Sequence, residues 1–315
     1  MADGRADSRA DGHADRRGDS RRARWASELA AAARAHWTPE RTRALTGGKR
    51  LAVLPAEAPV LLRALGLLHR DATMPPAQVR KFLQINHVVR VLEPALAELR
   101  ARHPVIRIVD AGCGRSYLTL LLAWCARERW GHPVEILGVD RNPDVIAECR
   151  RRTALAELAD VVRFEVARLE DVRAPDVHAV VALHACDTAT CDAIALGVAR
   201  AATLIAVAPC CQAELARAWT ERAAAPDGAG PFAPIWRTPH LRREIAAHVT
   251  DAMRALLLRA AGYRVTTMEF IAATHTQKNT LLRAVRGDPD PAARAEYEAL
   301  VAATGGRGLA LAARL

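Results

Sequence analysis

Short, mostly apolar runs alternate along this chain with stretches in which apolar residues recur every three or four positions. The runs fall at 105–110, 134–139, 161–166, 178–183, 203–208, 263–271 and 280–286. Runs of that length bounded by turn residues predict buried strands. Most are separated by segments long enough for a crossover helix. This predicts an α/β domain with a doubly wound, mostly parallel, seven-stranded sheet. The last two runs are separated only by Ala272 to Asn279, too short for a crossover, so they predict an antiparallel pair.

The pattern before and after that region differs. Leu61, Leu62, Leu65 and Leu68 recur at helical spacing, as do Ile85, Val88, Val89 and Leu92, and Thr73-Met-Pro-Pro76 separates the two sets. Gln84, Asn86, His87 and Arg90 interrupt the second set as polar positions. They mark either a solvated helix face or a helix that covers a ligand. Residues 1–24 alternate Asp and Arg with Ala, Gly and Ser, with almost nothing to bury, which predicts a disordered tail. The organisation expected is a tail over 1–24, a helical region over 25–100 and a sheet domain over 101–286. An insertion at 213–241 interrupts the sheet domain, and a terminal helix and tail occupy 287–315. The insertion reads as a substrate lid or as a surface excursion.

Composition narrows the picture. The 315 residues are 51% hydrophobic but only 4% aromatic, so Ala, Leu and Val must fill the core. No apolar run approaches the ~18 residues that cross a bilayer. The N-terminus has no signal-peptide core. Seven cysteines lie at irregular spacings (113, 125, 149, 186, 191, 210 and 211), which fits no disulfide framework and no structural zinc pair. These features predict a soluble, cytoplasmic protein with no membrane contact and no obligate protein partner. A net charge of +10 makes an anionic macromolecule a fair partner, or else reflects arginines spread over solvated faces.

Candidate chemistry centres on Val105-Ile-Arg-Ile-Val-Asp-Ala-Gly-Cys-Gly-Arg-Ser-Tyr-Leu118. A strand ends at Asp110, a turn follows at Gly112-Cys113-Gly114, and a helix opens at Tyr117. Such a turn lets backbone approach a nucleotide-like ligand, and the helix start offers free N–H groups. The next strand ends on Asp140, placed to accept hydrogen bonds from ribose hydroxyls. A dinucleotide site would want a third glycine where Ser116 stands, and an acid before the first glycine suits a cationic or zwitterionic ligand better than a pyrophosphate.

These residues resemble the first motif of the class I S-adenosylmethionine-dependent methyltransferases, close to Asp-x-Gly-x-Gly-x-Gly, followed by an acid at the end of the second strand. The resemblance implies a Rossmann-like sheet and S-adenosylmethionine as cofactor, with the helical region over 25–100 as an N-terminal addition to the catalytic domain. Leu183-His-Ala-Cys-Asp-Thr-Ala-Thr190 and Pro209-Cys-Cys211 are similar to one subgroup of methyltransferase-like proteins. They also have a distant similarity to tRNA acceptor-stem 2′-O-methyltransferases, which carry a glycine where Asp187 stands. Gln84-x-Asn-His87, Thr250 to Arg254 and His275 to Asn279 extend that likeness.

On this resemblance Asp110, Gly112, Cys113, Gly114, Asp140, Arg141, Leu183 and His184 hold the cofactor. His184, Asp187, Lys278 and Asn279 are the candidate catalytic residues. His184 reads as a base or as a hydrogen-bonded loop residue; Lys278 and Asn279 read as substrate positioners or as turn residues. The acid that commonly meets the adenine amino group is missing at Arg168, leaving Glu170, Asp171 or backbone. His184, Cys186, Cys210 and Cys211 form a metal set only if two loops meet, and vicinal cysteines are poor joint ligands, so no metal is expected. RNA is the substrate expected first, protein or a small molecule next. The rivals are an NAD-type oxidoreductase and a non-catalytic RNA-binding or scaffold protein.

Overall fold

The computed structural model describes residues 8–183, 185, 187–209, 212–225, 230–269 and 280–315, with side chains from residue 20 onward. The chain divides into two compact units, residues 1–83 and 84–315.

The first unit is helical. α1 (Ser8–His36) takes up most of the segment whose composition predicts disorder. Its many Ala and Arg residues are strong helix formers, and it contains no proline to stop them. α2 (Pro39–Thr46) opens after Thr38, whose hydroxyl accepts from the Arg41 N–H, and closes at Gly47 in the left-handed region. α3 (Pro59–Ala64) is a single short helix. Leu61, Leu62, Leu65 and Leu68 are all buried, but the helix stops early because the Leu67 and Leu68 N–H groups both turn back to the Leu62 carbonyl. A small core joins Leu29, Ala33 and Ala72, with Trp25, Trp37 and Val60 packed against it. The Trp37 indole donates to the Ala72 carbonyl at 2.8 Å.

α4 (Pro76–Arg102) begins after the Pro-Pro break and passes from one unit into the other between Leu83 and Gln84. The later turns belong to the sheet unit. There Val88, Val89, Leu92, Leu96 and Leu99 are buried, and the Arg283 guanidinium donates to the Val91 carbonyl.

In the second unit β1 (Ile106–Ala111) leads through α5 (Tyr117–Trp124) and its wider-wound extension Cys125–Trp130 to β2 (Val134–Asp140). α6 (Pro143–Leu155) returns the chain to β3 (Val162–Val166). The chain then crosses back over β2 and β1 to β4 (Ala179–Ala182), and α7 (Thr188–Ala199) connects to β5 (Leu204–Val207). α8 (Glu214–Ala224), α9 (Ala233–Arg237) and α10 (Pro239–Ala260) precede β6 (Tyr263–Glu269). β7 (Thr280–Arg286) and α11 (Ala293–Ala303) complete it.

The seven strands lie in the order β3-β2-β1-β4-β5-β7-β6. β1 to β5 pair in parallel, and β7 runs antiparallel to both β5 and β6. All seven apolar runs hold strands, six of them within one residue of the expected bounds; residues 270 and 271 of the run at 263–271 lie outside the described residues. Alternate positions of the central strands (Val109 and Ala111, Val180 and Ala182, Ile205 and Val207, Leu282 and Ala284) share one core with α7, α8 and α10. Arg283, pointing the other way, reaches α4 on the opposite face. Helices thus cover both faces, as buried parallel strands require.

The insertion expected at 213–241 is α8 and α9; α10 already starts at Pro239 and is the crossover helix itself. The C-terminal segment is docked. The Trp219 indole donates to the Thr304 carbonyl, the Leu309 N–H to the Tyr297 hydroxyl and the Ala310 N–H to Glu214, while Leu309 and Leu311 are buried. Among the described residues no helix is long and apolar enough to cross a membrane.

Candidate functional site: the carboxyl edge of the sheet

The strand order reverses between β1 and β4, and ligands of open α/β sheets bind at the carboxyl ends of the strands beside such a reversal. The turn after β1 stands there. The N–H groups of Gly112 and Cys113 both donate to the Val139 carbonyl, at 2.8 and 2.9 Å, tying the turn to the end of β2. The Gly114 N–H donates to Asp140 Oδ2 at 3.2 Å, and the Asn142 N–H to Asp140 Oδ1 at 3.0 Å. Asp110, Gly112, Cys113, Gly114 and Asp140 thus meet in one cradle. Arg141, next to Asp140, is exposed, and Leu183, just past β4, is buried.

Gly112 sits at φ +71°, in the left-handed region. A Cβ there would stand 3.5 Å from Ala185, an ordinary contact, so backbone conformation rather than space calls for glycine. Ser116 occupies the third-glycine position and takes the same region, at φ +57°. The turn keeps its shape without its third glycine, at the strain cost of a non-glycine residue in that region, on the order of 1 kcal/mol. Neighbouring contacts hold it there. The Ser116 N–H donates to the Cys113 carbonyl, Arg152 donates to the Arg115 carbonyl at 2.9 Å, and the Cys149 thiol lies 3.1 Å from the Gly114 carbonyl.

Electrostatics differ sharply between the two acids. Asp110 is buried and accepts from the Thr119 hydroxyl. Burial pushes its carboxyl up from 3.8 to about 6; the Thr119 hydrogen bond opposes the rise and the charge of Asp140 adds to it. A buried carboxylate that is costly to ionise gains most from a cation beside it. The Cys113 thiol is pushed up by its hydrogen bond to Cys149 and by burial, which leaves it a packing residue rather than a nucleophile. At the end of β3, in register with Asp140, Val166 is 46% exposed and offers an apolar surface beside that acid. Of the adenine candidates, Glu170 is paired with Arg168 at 2.6 Å.

These features fit S-adenosylmethionine. Asp110 would face its positive charge, Asp140 its ribose hydroxyls and Val166 an apolar ring, with the glycine turn admitting the ligand against backbone.

The loop after β4 completes this edge. Asp187 adopts φ +55°, ψ −118°, a conformation suited to glycine. Its Oδ1 accepts from the Ala213 and Glu214 N–H groups at 2.9 and 3.1 Å, and its Oδ2 pairs with Arg217 at 2.9 Å. The carboxylate caps α8 from another loop, where a helix N-terminus favours an anion. Asp187, expected as a catalytic residue, thus holds the start of α8 with Oδ1 and Arg217 with Oδ2.

Beneath it lies a network that sequence reading did not assign. The buried Arg254 guanidinium donates to the Asp187 carbonyl, to Asp251 Oδ1 and to the Cys191 sulfur. Gln212 Nε2 donates to Asp251 Oδ2 at 2.9 Å. Burial pushes the Asp251 carboxyl up, against the pull of Gln212 and Arg254. A charged pair three residues apart in an apolar helical stretch was the available signal. His184, Cys186, Cys210, Cys211, Lys278 and Asn279 lie outside the described residues, so their expected roles and the metal set are not placed. Glu269 and Thr280, which flank 270–279, pair with one another at the carboxyl edge of the sheet. Among the described residues no group of three metal-ligating side chains gathers.

Residues 80–218 match the model of a family described as a methyltransferase domain, a little under half of the chain. No curated protein matches the sequence. Solved structures with a similar chain include an SAH-bound methyltransferase from Podospora anserina (16% identity, 73% of this chain and 88% of that one, TM-score 0.42). Others are magnesium protoporphyrin IX methyltransferase from Synechocystis with bound SAH (17%, 72% and 92%, 0.40) and a putative rRNA methylase from Clostridium thermocellum (14%, 63% and 97%, 0.37). At these scores none bears on substrate. The match over residues 80–218 spans the glycine turn, Asp110 and Asp140, so the similarity to a methyltransferase domain falls where the candidate site lies.

Proposed function

We propose that the protein transfers a methyl group from S-adenosylmethionine to a nucleophile on RNA. The observation that carries the transfer is the cradle itself: a buried Asp110 that gains from a cation, next to an Asp140 fixed by two backbone N–H groups at the mouth of a glycine turn. Bound S-adenosylmethionine supplies an electrophilic methyl. The chain's own work is to hold and orient both reactants, because an in-line attack depends on placement. Asp110 and Asp140 orient the cofactor, and the edge formed by Ala185 and Asp187 bounds the space beyond it. Lys278 and Asn279 remain our candidates for positioning substrate, supported by the place of Glu269 and Thr280 at this edge. The basic balance of the chain supports RNA over an uncharged small molecule. The described cysteines 113, 125, 149 and 191 are all free thiols, which supports a reducing, cytoplasmic setting.

Isothermal titration separates the rivals on cofactor: S-adenosylmethionine should bind and NAD should not. Tritiated-methyl labelling of a fractionated lysate then tests substrate. Label in the RNA fraction supports the reading, and label confined to protein or small molecules moves the substrate class. Cofactor binding with no label anywhere identifies a scaffold.

A further inference from the structure

Between α8 and the first turn of α10 lies a cleft of about 330 Å³, lined by two alanines with Gln212, Arg217, Thr220, Arg242 and Arg243. Among the described residues no carboxylate lines it. Gln212, Ala213, Ala216, Arg217 and Thr220 come from one side of α8 and the residues leading into it. Arg242 and Arg243 come from the start of a 22-residue helix, whose N-terminus adds positive potential.

The three cations are not equally free. Arg217 is paired with Asp187 at 2.9 Å. Arg242 donates to the Trp236 carbonyl, which fixes the side chain without neutralising it. Arg243 is exposed and has no ion-pair partner among the described residues. Among the described residues the wall thus carries two uncompensated positive charges and a third shared with Asp187. Arginine is the side chain best shaped to hold phosphate oxygens.

The cleft also has a place relative to the cradle. Ala185 stands against Gly112, and two residues later Asp187 caps α8 and pairs with Arg217. The arginine wall therefore begins at the edge of the sheet where the cofactor turn lies.

We propose that this cleft is a phosphate-binding subsite that anchors the RNA substrate, with a backbone phosphate among Arg217, Arg242 and Arg243; it rests on the RNA reading above. A strand held there is kept beside the cofactor edge without base contacts, so the subsite supplies affinity and register rather than sequence choice.

The test uses the full chain and a fluorescein-labelled oligouridylate, read by fluorescence anisotropy over a salt series. Arg243→Gln should weaken binding roughly three- to tenfold and lower the salt slope by about 0.7, the share of one single-strand phosphate contact. Arg242→Gln with Arg243→Gln should weaken it further. Arg243→Lys should keep the slope. S-adenosylmethionine affinity should stay within about threefold, because these residues lie outside the cradle. Arg243 is exposed, so its single variant decides the matter if the double variant loses stability. Wild-type binding with an unchanged slope in Arg243→Gln refutes the cleft and leaves the RNA reading standing. No RNA binding by the wild type overturns the RNA reading and the subsite with it. Stabilisation by inorganic phosphate without RNA binding also overturns it, assigning the cleft to a small phosphorylated ligand.

Discussion

Main chain holds the region around Gly112, whereas side chains hold the region around Asp187. In the first, four N–H donors from two adjacent strand ends fix the turn and Asp140, all within 31 residues of sequence, from Gly112 to Asn142. In the second, a loop, two helices and a buried arginine meet through Asp187, Arg217, Gln212, Asp251 and Arg254, across more than sixty residues. Backbone hydrogen bonds at strand ends come with the fold and tolerate most side chains. A buried polar network depends on every member, because a donor or acceptor left alone in the core costs about 1–3 kcal/mol and a charge costs more. The cofactor half should therefore change through affinity when mutated, and the other half through stability.

The largest effect should come from the buried network. Arg254→Met leaves Asp251 without its cation and the Asp187 carbonyl without its donor. It should lower stability by about 3–5 kcal/mol, read from denaturant unfolding. Replacing Asp251 by Asn at the same time should recover much of the loss, since the uncompensated charge is the main cost. A loss under about 1 kcal/mol in the single variant would erase the contrast between the two regions.

Next comes the cradle. Asp140→Ala should cost ~1.5–3 kcal/mol of S-adenosylmethionine affinity, about ten- to a hundredfold, with little change in melting temperature. Unchanged affinity in the folded variant would remove Asp140 from the site.

A pH series sharpens the same half. The Asp110 carboxyl is raised to about 6, so its contribution to stability is complete at low pH and is lost as pH rises through that value. A cationic ligand favours the ionised form, and cofactor affinity should run the opposite way. It should rise roughly tenfold between about pH 5 and 7, with proton release on binding below pH 6 measurable in buffers of different ionisation enthalpy. A flat profile would show that Asp110 does not meet the cofactor's charge.

The smallest effect separates strain from capping at Asp187. Both Asp187→Ala and Asp187→Gly lose the α8 cap, but only glycine accepts φ +55°, ψ −118° freely. The glycine variant should be the more stable of the two by about 1 kcal/mol in thermal unfolding. Equal stabilities would mean that the loop relaxes out of that conformation.

The alternation of apolar runs determined the seven strands, because a buried parallel strand must be apolar on both faces, and Val109, Val139 and Val181 can be recognised without knowing their neighbours. The short gap after β6 determined the antiparallel end, since 270–279 leaves no room to cross the sheet. Asp110, Gly112 and Asp140 were legible because their geometry is local, with each acid ending a strand and the glycine following it. Ser116 shows the limit of that reading: its identity departs from the third glycine and spoke against a dinucleotide site, while its neighbours hold the backbone in the region a glycine would take.

Tertiary structure alone decided the rest. It set Asp187 at the start of α8, buried Arg254 beneath it and brought Arg217 beside Arg242 and Arg243. It also docked the C-terminal segment on Trp219 and Glu214. Charged residues carry no periodic signal of their partners. An arginine destined for a solvated face and one destined for a buried pair read alike, until distant segments meet and the cost of an unpaired charge selects between them.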